Sequence, residues 1–132
     1  MPLTLPSVDD ANRPYWDGAR AGVLRLQRCG ACNRLRYPIS PVCPQCMSTE
    51  AAREDVSGRG VVYTFGIFRH VYDEAWRDRV PYAVAIVRLD EGPFVISDLV
   101  DVEADDVRVG MPVRARFDEA TPDVTVPRFG PA

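Results

Sequence analysis

Four cysteines carry the most specific chemistry in this sequence. Cys29-Gly30-Ala31-Cys32 and Cys43-Pro44-Gln45-Cys46 form two Cys-x-x-Cys pairs, ten residues apart, and use every cysteine in the chain. A Cys-x-x-Cys knuckle aims two sulfurs at one point, and two knuckles complete a tetrahedron of the kind zinc takes in structural sites. Such a closed all-thiolate cage leaves no position for a substrate. Two disulfides or four free thiols are the plainer alternatives. A rubredoxin-type iron site with electron transfer is the chemical one. Met47 follows the second knuckle where a glycine would relax the turn, and the stretch between the knuckles is short. Both features favour a zinc ribbon, with Cys29, Cys32, Cys43 and Cys46 as ligands.

A metal cage has to be carried by elements, and the sequence supplies them in short pieces. Twelve prolines and nine glycines in 132 residues predict many turns and no long helix. Asn12 or Arg13, Pro14 and Gly22 bound a two-turn helix whose Tyr15, Trp16, Ala19 and Val23 share one side. Two turns are too few to stand alone in water, so that side must pack on this chain or on a partner. Alternation over residues 23–28 predicts a strand into the first knuckle, and 35–38 a return strand ended by proline. After Ser57-Gly58-Arg59-Gly60 the pattern is strongly β. Strands are expected at 61–68, with Gly66 as a sharp bend, and at 82–89, 94–100, 111–117 and 123–127. A long connection fills 69–80, and residues 103–108 make at most one helical turn.

The reading is mainly β: a short N-terminal helix, a rubredoxin-like zinc ribbon, then a five-stranded OB-fold barrel. Residues 1–28 are expected to form a tail, helix and lead-in strand, 29–57 the ribbon, and 58–132 the barrel. A ribbon of about 30 residues cannot bury a working core and depends on its metal. Metal loss is therefore expected to unfold 29–46 and leave the barrel's β-signal largely intact.

The formal charge is −3, and all sixteen basic residues are arginine. An acidic balance without a basic cluster argues against a nucleic-acid-binding ribbon/OB module, the main alternative in another class. No signal-peptide pattern opens the sequence and no apolar run is long enough to span a bilayer, so a cytoplasmic location is expected. His70 has no cysteine nucleophile to serve. Ser97-Asp98 reads as an outward polar pair, and Glu103, Asp105 and Asp106 as a solvated helix start.

Several segments together resemble the DUF35 family of acyl-CoA-associated zinc-ribbon/OB-fold proteins. They are Tyr15-Trp16-Asp17-Gly18, residues 26–32, 41–46, 57–63 and 81–85, and Val109-Gly110-Met111-Pro112-Val113. The resemblance runs in order over about residues 13 to 129. It implies a non-catalytic accessory subunit that binds and stabilises a thiolase-fold partner in a hetero-oligomer. That partner would be a thiolase or a lipid-transfer-type aldolase acting on acyl-CoA thioesters, steroid side chains included. A MaoC-like hydratase is a further implied partner, and a CoA thioester an implied ligand. The long connection is where CoA or partner contacts are expected: Tyr72 or Trp76 to stack on a ring, and Arg69, Arg77 or Arg79 to meet phosphates. Tyr15 and Trp16 are the second expected partner contact.

Overall fold

Alternating apolar residues set the strands, and prolines and glycines end them. The computed structural model describes residues 4–132, so Met1–Leu3 of the expected tail lie outside the described residues. Helix α1 (Arg13–Arg20) is followed by β1 (Leu24–Cys29), β2 (Leu35–Arg36) and β3 (Ala51–Val56), an antiparallel sheet in the order β2-β1-β3. The second sheet comprises β4 (Arg59–Phe68), β5 (Tyr82–Leu89), β6 (Phe94–Asp98), β7 (Pro112–Thr121) and β8 (Val124–Pro131). Its order is β6-β5-β4-β7-β8. A parallel bridge between Leu99 and Phe129 joins the two outer strands and closes the barrel. These are the five barrel strands, and the short helix, that the pattern predicts.

Four details differ from expectation. The irregularity in β4 falls at Tyr63, where the register against β5 shifts between Val62 and Thr64, while Gly66 pairs with Val84 without interruption. The glycine that this strand requires is Gly60, where a Cβ would lie 2.3 Å from the Arg88 carbonyl oxygen. Strand β3 has no apolar alternation to announce it. It is held by its full register against β1, from Leu24 opposite Val56 to Cys29 opposite Ala51. The last strand continues past Pro127 to Pro131 and carries Phe129 into the core.

The helix cap works differently from a side-chain cap. Asn12 precedes α1, but its carboxamide bonds backwards, accepting from the Asp9 N–H and donating to the Ser7 carbonyl. Pro14 sits in the first turn, and Gly22 follows the helix with φ +79°. Ala19 is buried, and Tyr15 packs against the core and Tyr37. The aromatic side is thus satisfied largely within this chain. One core serves both sheets: Leu24, Leu26 and Leu35 of the small sheet pack in the same cluster as Val62, Val87, Leu89, Val113 and Phe129 of the barrel.

Candidate metal centre and binding surfaces

Strand β1 ends in Cys29, and the turn after it brings Cys32 back beneath the strand. The N–H groups of Ala31 and Cys32 both point at the Cys29 sulfur, at 3.4 Å. The second knuckle repeats this turn, with the Met47 N–H donating to the Cys43 carbonyl as the Asn33 N–H donates to that of Cys29. Asn33 and Met47, each just after a knuckle, have φ of 65° and 66°. Methionine therefore makes the left-handed turn without glycine, so this position does not discriminate between zinc and iron. The four sulfurs lie within 4.8 Å of one another, with Cys29–Cys46 at 3.5 Å and Cys32–Cys43 at 3.7 Å. A zinc–sulfur bond of about 2.3 Å requires an edge of about 3.8 Å in the sulfur tetrahedron, so the four residues fit the ion. Zinc bound here crosslinks the two knuckles.

The local dipoles prepare the thiols unequally. Backbone N–H groups of Cys32, then Ala31, pull the Cys29 thiol down to about 6. The Cys46 and Gln45 N–H groups lower Cys43, although burial of its sulfur works between them in the other direction. Cys46 is pushed up to about 11: the Ser48 N–H lowers it, and the neighbouring cysteine side chains, Cys29 first, outweigh that effect. Cys29 and Cys43 are buried and Cys32 and Cys46 exposed, so the cage is anchored inside and faces solvent at one edge.

The long connection contains a 3-10 helix, Glu74–Arg79, capped by the Asp73 carboxylate, which accepts from the Ala75 N–H at 2.9 Å. Its aromatics form one array at the end of the barrel. Phe68 stacks on Tyr82 at 5.3 Å, Trp76 meets Tyr82 at 4.6 Å, and Tyr72 lies edge-on to Phe68 and His70. The Arg79 guanidinium lies 5.4 Å over Trp76. Arg69 pairs with Asp105 at 3.1 Å and Arg77 forks onto Glu74, so both already have counter-charges. Tyr72 is 78% exposed. The connection thus brings Tyr72, Trp76 and Arg79 together, whereas Tyr15 and Trp16 sit on α1. Trp16 there shares a cleft of about 200 Å³ with Tyr37, Pro38 and Ile39.

The fold and the cysteine geometry have close counterparts among known proteins. The family model for the C-terminal OB-fold domain of ChsH2 matches residues 53–118, half of the chain. The model for the ChsH2 rubredoxin-like zinc ribbon domain matches residues 16–50. A solved chain of the Ltp2-ChsH2(DUF35) aldolase superimposes with a TM-score of 0.84 at 35% identity, over 96% of this chain and 98% of that one. The chain belongs to the DUF35 family. A probable enoyl-CoA hydratase alpha subunit of Thermomonospora curvata is 36% identical over 127 residues, which are 96% of this chain and 39% of that protein. A DUF35 domain-containing scaffold protein of Methanocaldococcus jannaschii is 36% identical over 91 residues, 68% of this chain and 64% of that protein.

Other notable residues of this DUF35 chain escaped the sequence reading. Arg128 is buried and bonds Asp98 at 2.7 Å and Asp118 at 3.0 Å. Asp98 is thus a partner of a buried cation, which corrects its reading as an outward polar group. On the outer face of the barrel Tyr63 lies edge-on to Phe94 at 4.9 Å, and Ile86 stands opposite Ile96, all four exposed. Their alternation with Val62, Val87 and Val95 was the available signal. A cleft of about 390 Å³ lies between ribbon and barrel, lined by Arg28, Arg34, Arg36 and Tyr37 on one side and Glu91 and Phe94 on the other.

Proposed function

We propose that this DUF35 chain is a non-catalytic subunit that binds and stabilises a thiolase-fold enzyme acting on acyl-CoA thioesters. The observation that carries the reading is the likeness to the DUF35 chain of the Ltp2-ChsH2 aldolase, which extends over nearly all of that chain. The scaffold name of the Methanocaldococcus jannaschii relative and the CoA-linked name of the Thermomonospora curvata one support it. The chemistry of the chain is consistent with it as well, since all four cysteines converge on one closed cage.

In this reading the partner seats on aromatic and aliphatic side chains that are exposed or half-buried. The array of Tyr72, Trp76 and Arg79, the α1 side at Tyr15 and Trp16, and the outer-face residues Tyr63, Phe94, Ile86 and Ile96 supply it. Arg69 and Arg77, each paired with a carboxylate and still exposed, are the expected contacts to CoA phosphates. A hydratase of the MaoC kind is a second partner in the same assembly, in keeping with the hydratase name of the Thermomonospora curvata relative. Among the described residues no helix is long and apolar enough to cross a membrane.

Affinity capture of the tagged, zinc-loaded protein from its native extract, with mass-spectrometric identification, tests the proposal. A thiolase-fold protein in near-stoichiometric amount is the expected outcome. Nuclease-sensitive nucleic-acid complexes in its place would overturn it, as would thiolase or aldolase turnover by the isolated chain.

A further inference from the structure

Two arginines are buried in this chain, and they are treated differently. Arg128, at 6% exposure, has two aspartates. Arg36, at 4%, has none: its Nε donates to the Gln27 side-chain oxygen and its Nη2 to the Ser40 carbonyl, both at 3.0 Å. Its Nη1 is buried without a partner. A guanidinium does not escape burial by losing its proton, so a buried arginine without a carboxylate bears a desolvation cost that a bound anion would relieve.

None of the neighbouring carboxylates is bonded to Arg36. Arg28, beside it, is itself forked onto Glu54 and donates to the Asn33 carbonyl. Arg34 adds charge, its Nη1 held only by the neutral Gln45 side chain at 2.7 Å. Glu91, across the cleft, accepts from the Ser57 N–H and hydroxyl. Among the described residues the hydrogen bonds onto the cysteine sulfurs come from backbone N–H groups and neighbouring cysteines, not from an arginine. Arg34 and Arg36 therefore stand on one wall of the ribbon–barrel cleft with only neutral acceptors bonded to them, facing the single carboxylate of Glu91 and beside the rings of Tyr37 and Phe94. The volume, about 390 Å³, lies within the range of small-molecule sites.

We infer that this cleft is a binding site for a phosphate group carried by a small molecule, with Arg34 meeting the phosphate and Arg36 supplying the buried charge beneath it. Two guanidiniums match the doubly charged, multi-oxygen phosphate better than a single carboxylate. The aromatic rings give the carrier of the phosphate an apolar wall. The inference is independent of the partner reading, because it concerns the free chain and a different set of arginines.

The test is titration of the zinc-loaded full chain with inorganic pyrophosphate, followed by NMR of the arginine Nε–H groups and of the amides of Leu35, Tyr37 and Phe94. A saturable shift of the Arg36 Nε–H signal is expected. Arg34→Ala, an exposed change that leaves the fold intact, should weaken it at least tenfold. Arg13→Ala, an exposed charge paired with Asp10, should leave it unchanged. A parallel titration with CoA separates carriers: a further shift at Phe94 assigns the phosphate to a nucleotide-like ligand, and pyrophosphate-like shifts alone to a free phosphate. The inference is overturned if no signal saturates, if the two variants weaken binding equally, or if acetate binds as tightly as pyrophosphate.

Discussion

Arg128 shows how much a single side chain can hold. Its Nη1 bonds Asp98 at the end of β6, and its Nε bonds Asp118 on β7, so one residue of β8 ties both flanking strands. Breaking a buried pair by deleting one partner leaves the other charge without compensation, at about 3–5 kcal/mol. Arg128→Ala should therefore lower the unfolding free energy by about that amount, read from urea denaturation. Asp118→Asn should cost far less, since the Asp118 side chain is 44% exposed and water replaces the lost contact. Equal losses in the two variants would refute the assignment. None of this was legible in the sequence, because Asp98 and Arg128 are thirty residues apart and meet only once the barrel closes through Leu99 and Phe129. The cysteines were legible because their chemistry is local: each knuckle fits within four residues, and its geometry follows from the spacing.

At the scale of elements, β3 is the instructive case. Its sequence, AAREDV, has mostly exposed residues and no apolar stripe, so alternation could not reveal it. The register puts Asp55 directly opposite Arg25, bonded at 2.6 Å, on one face of the β1–β3 pair. On the other face Glu54 stands opposite Leu26 and is reached diagonally by Arg28, at 2.7 and 2.8 Å. Hydrogen bonding to Arg28 holds the Glu54 carboxyl below its ordinary value, and Arg25 does the same for Asp55. A carboxyl depressed in the folded state contributes stability above its unfolded pKa, about 4.3 for glutamate, and loses it as pH falls through the lower folded value. In a carboxyl-carbon NMR titration Glu54 should therefore have its midpoint below that of a model glutamate. Arg28→Gln should move the midpoint back up; an unmoved midpoint would show that the pair does not form. The barrel strands, by contrast, were legible because their inward residues alternate, and Gly66 misled because a glycine in a strand marks a bend only where the backbone is crowded. That crowding is at Gly60.

The composition change after Ser57 marks where one sheet hands over to the next, yet the hydrophobic core runs across it. Leu24, Leu26 and Leu35 come from the ribbon sheet, and their neighbours Val62, Leu89 and Phe129 from the barrel. A ribbon held by its metal is therefore also a wall of the barrel's core. This adds to the expected effect of metal removal, in which the barrel's β-signal stays largely intact. Zinc binding to such a site is folding free energy, so chelation or Cys43→Ser should release the ion and unfold the knuckles at 29–46. β1 and β2 would then lose the crosslink that fixes them. Even one leucine freed from the core costs about 2 kcal/mol, and at about 4 °C per kcal/mol for a chain of this size the barrel itself should melt about 8 °C lower. The readout is the near-ultraviolet circular dichroism of the barrel aromatics during heating, with zinc content measured on the same samples. Zinc-free protein whose aromatic signal melts at the holo temperature would mean that ribbon and barrel are energetically separate despite sharing apolar contacts. A single transition shifted downward together with zinc loss would establish that the metal stabilises the molecule as a whole.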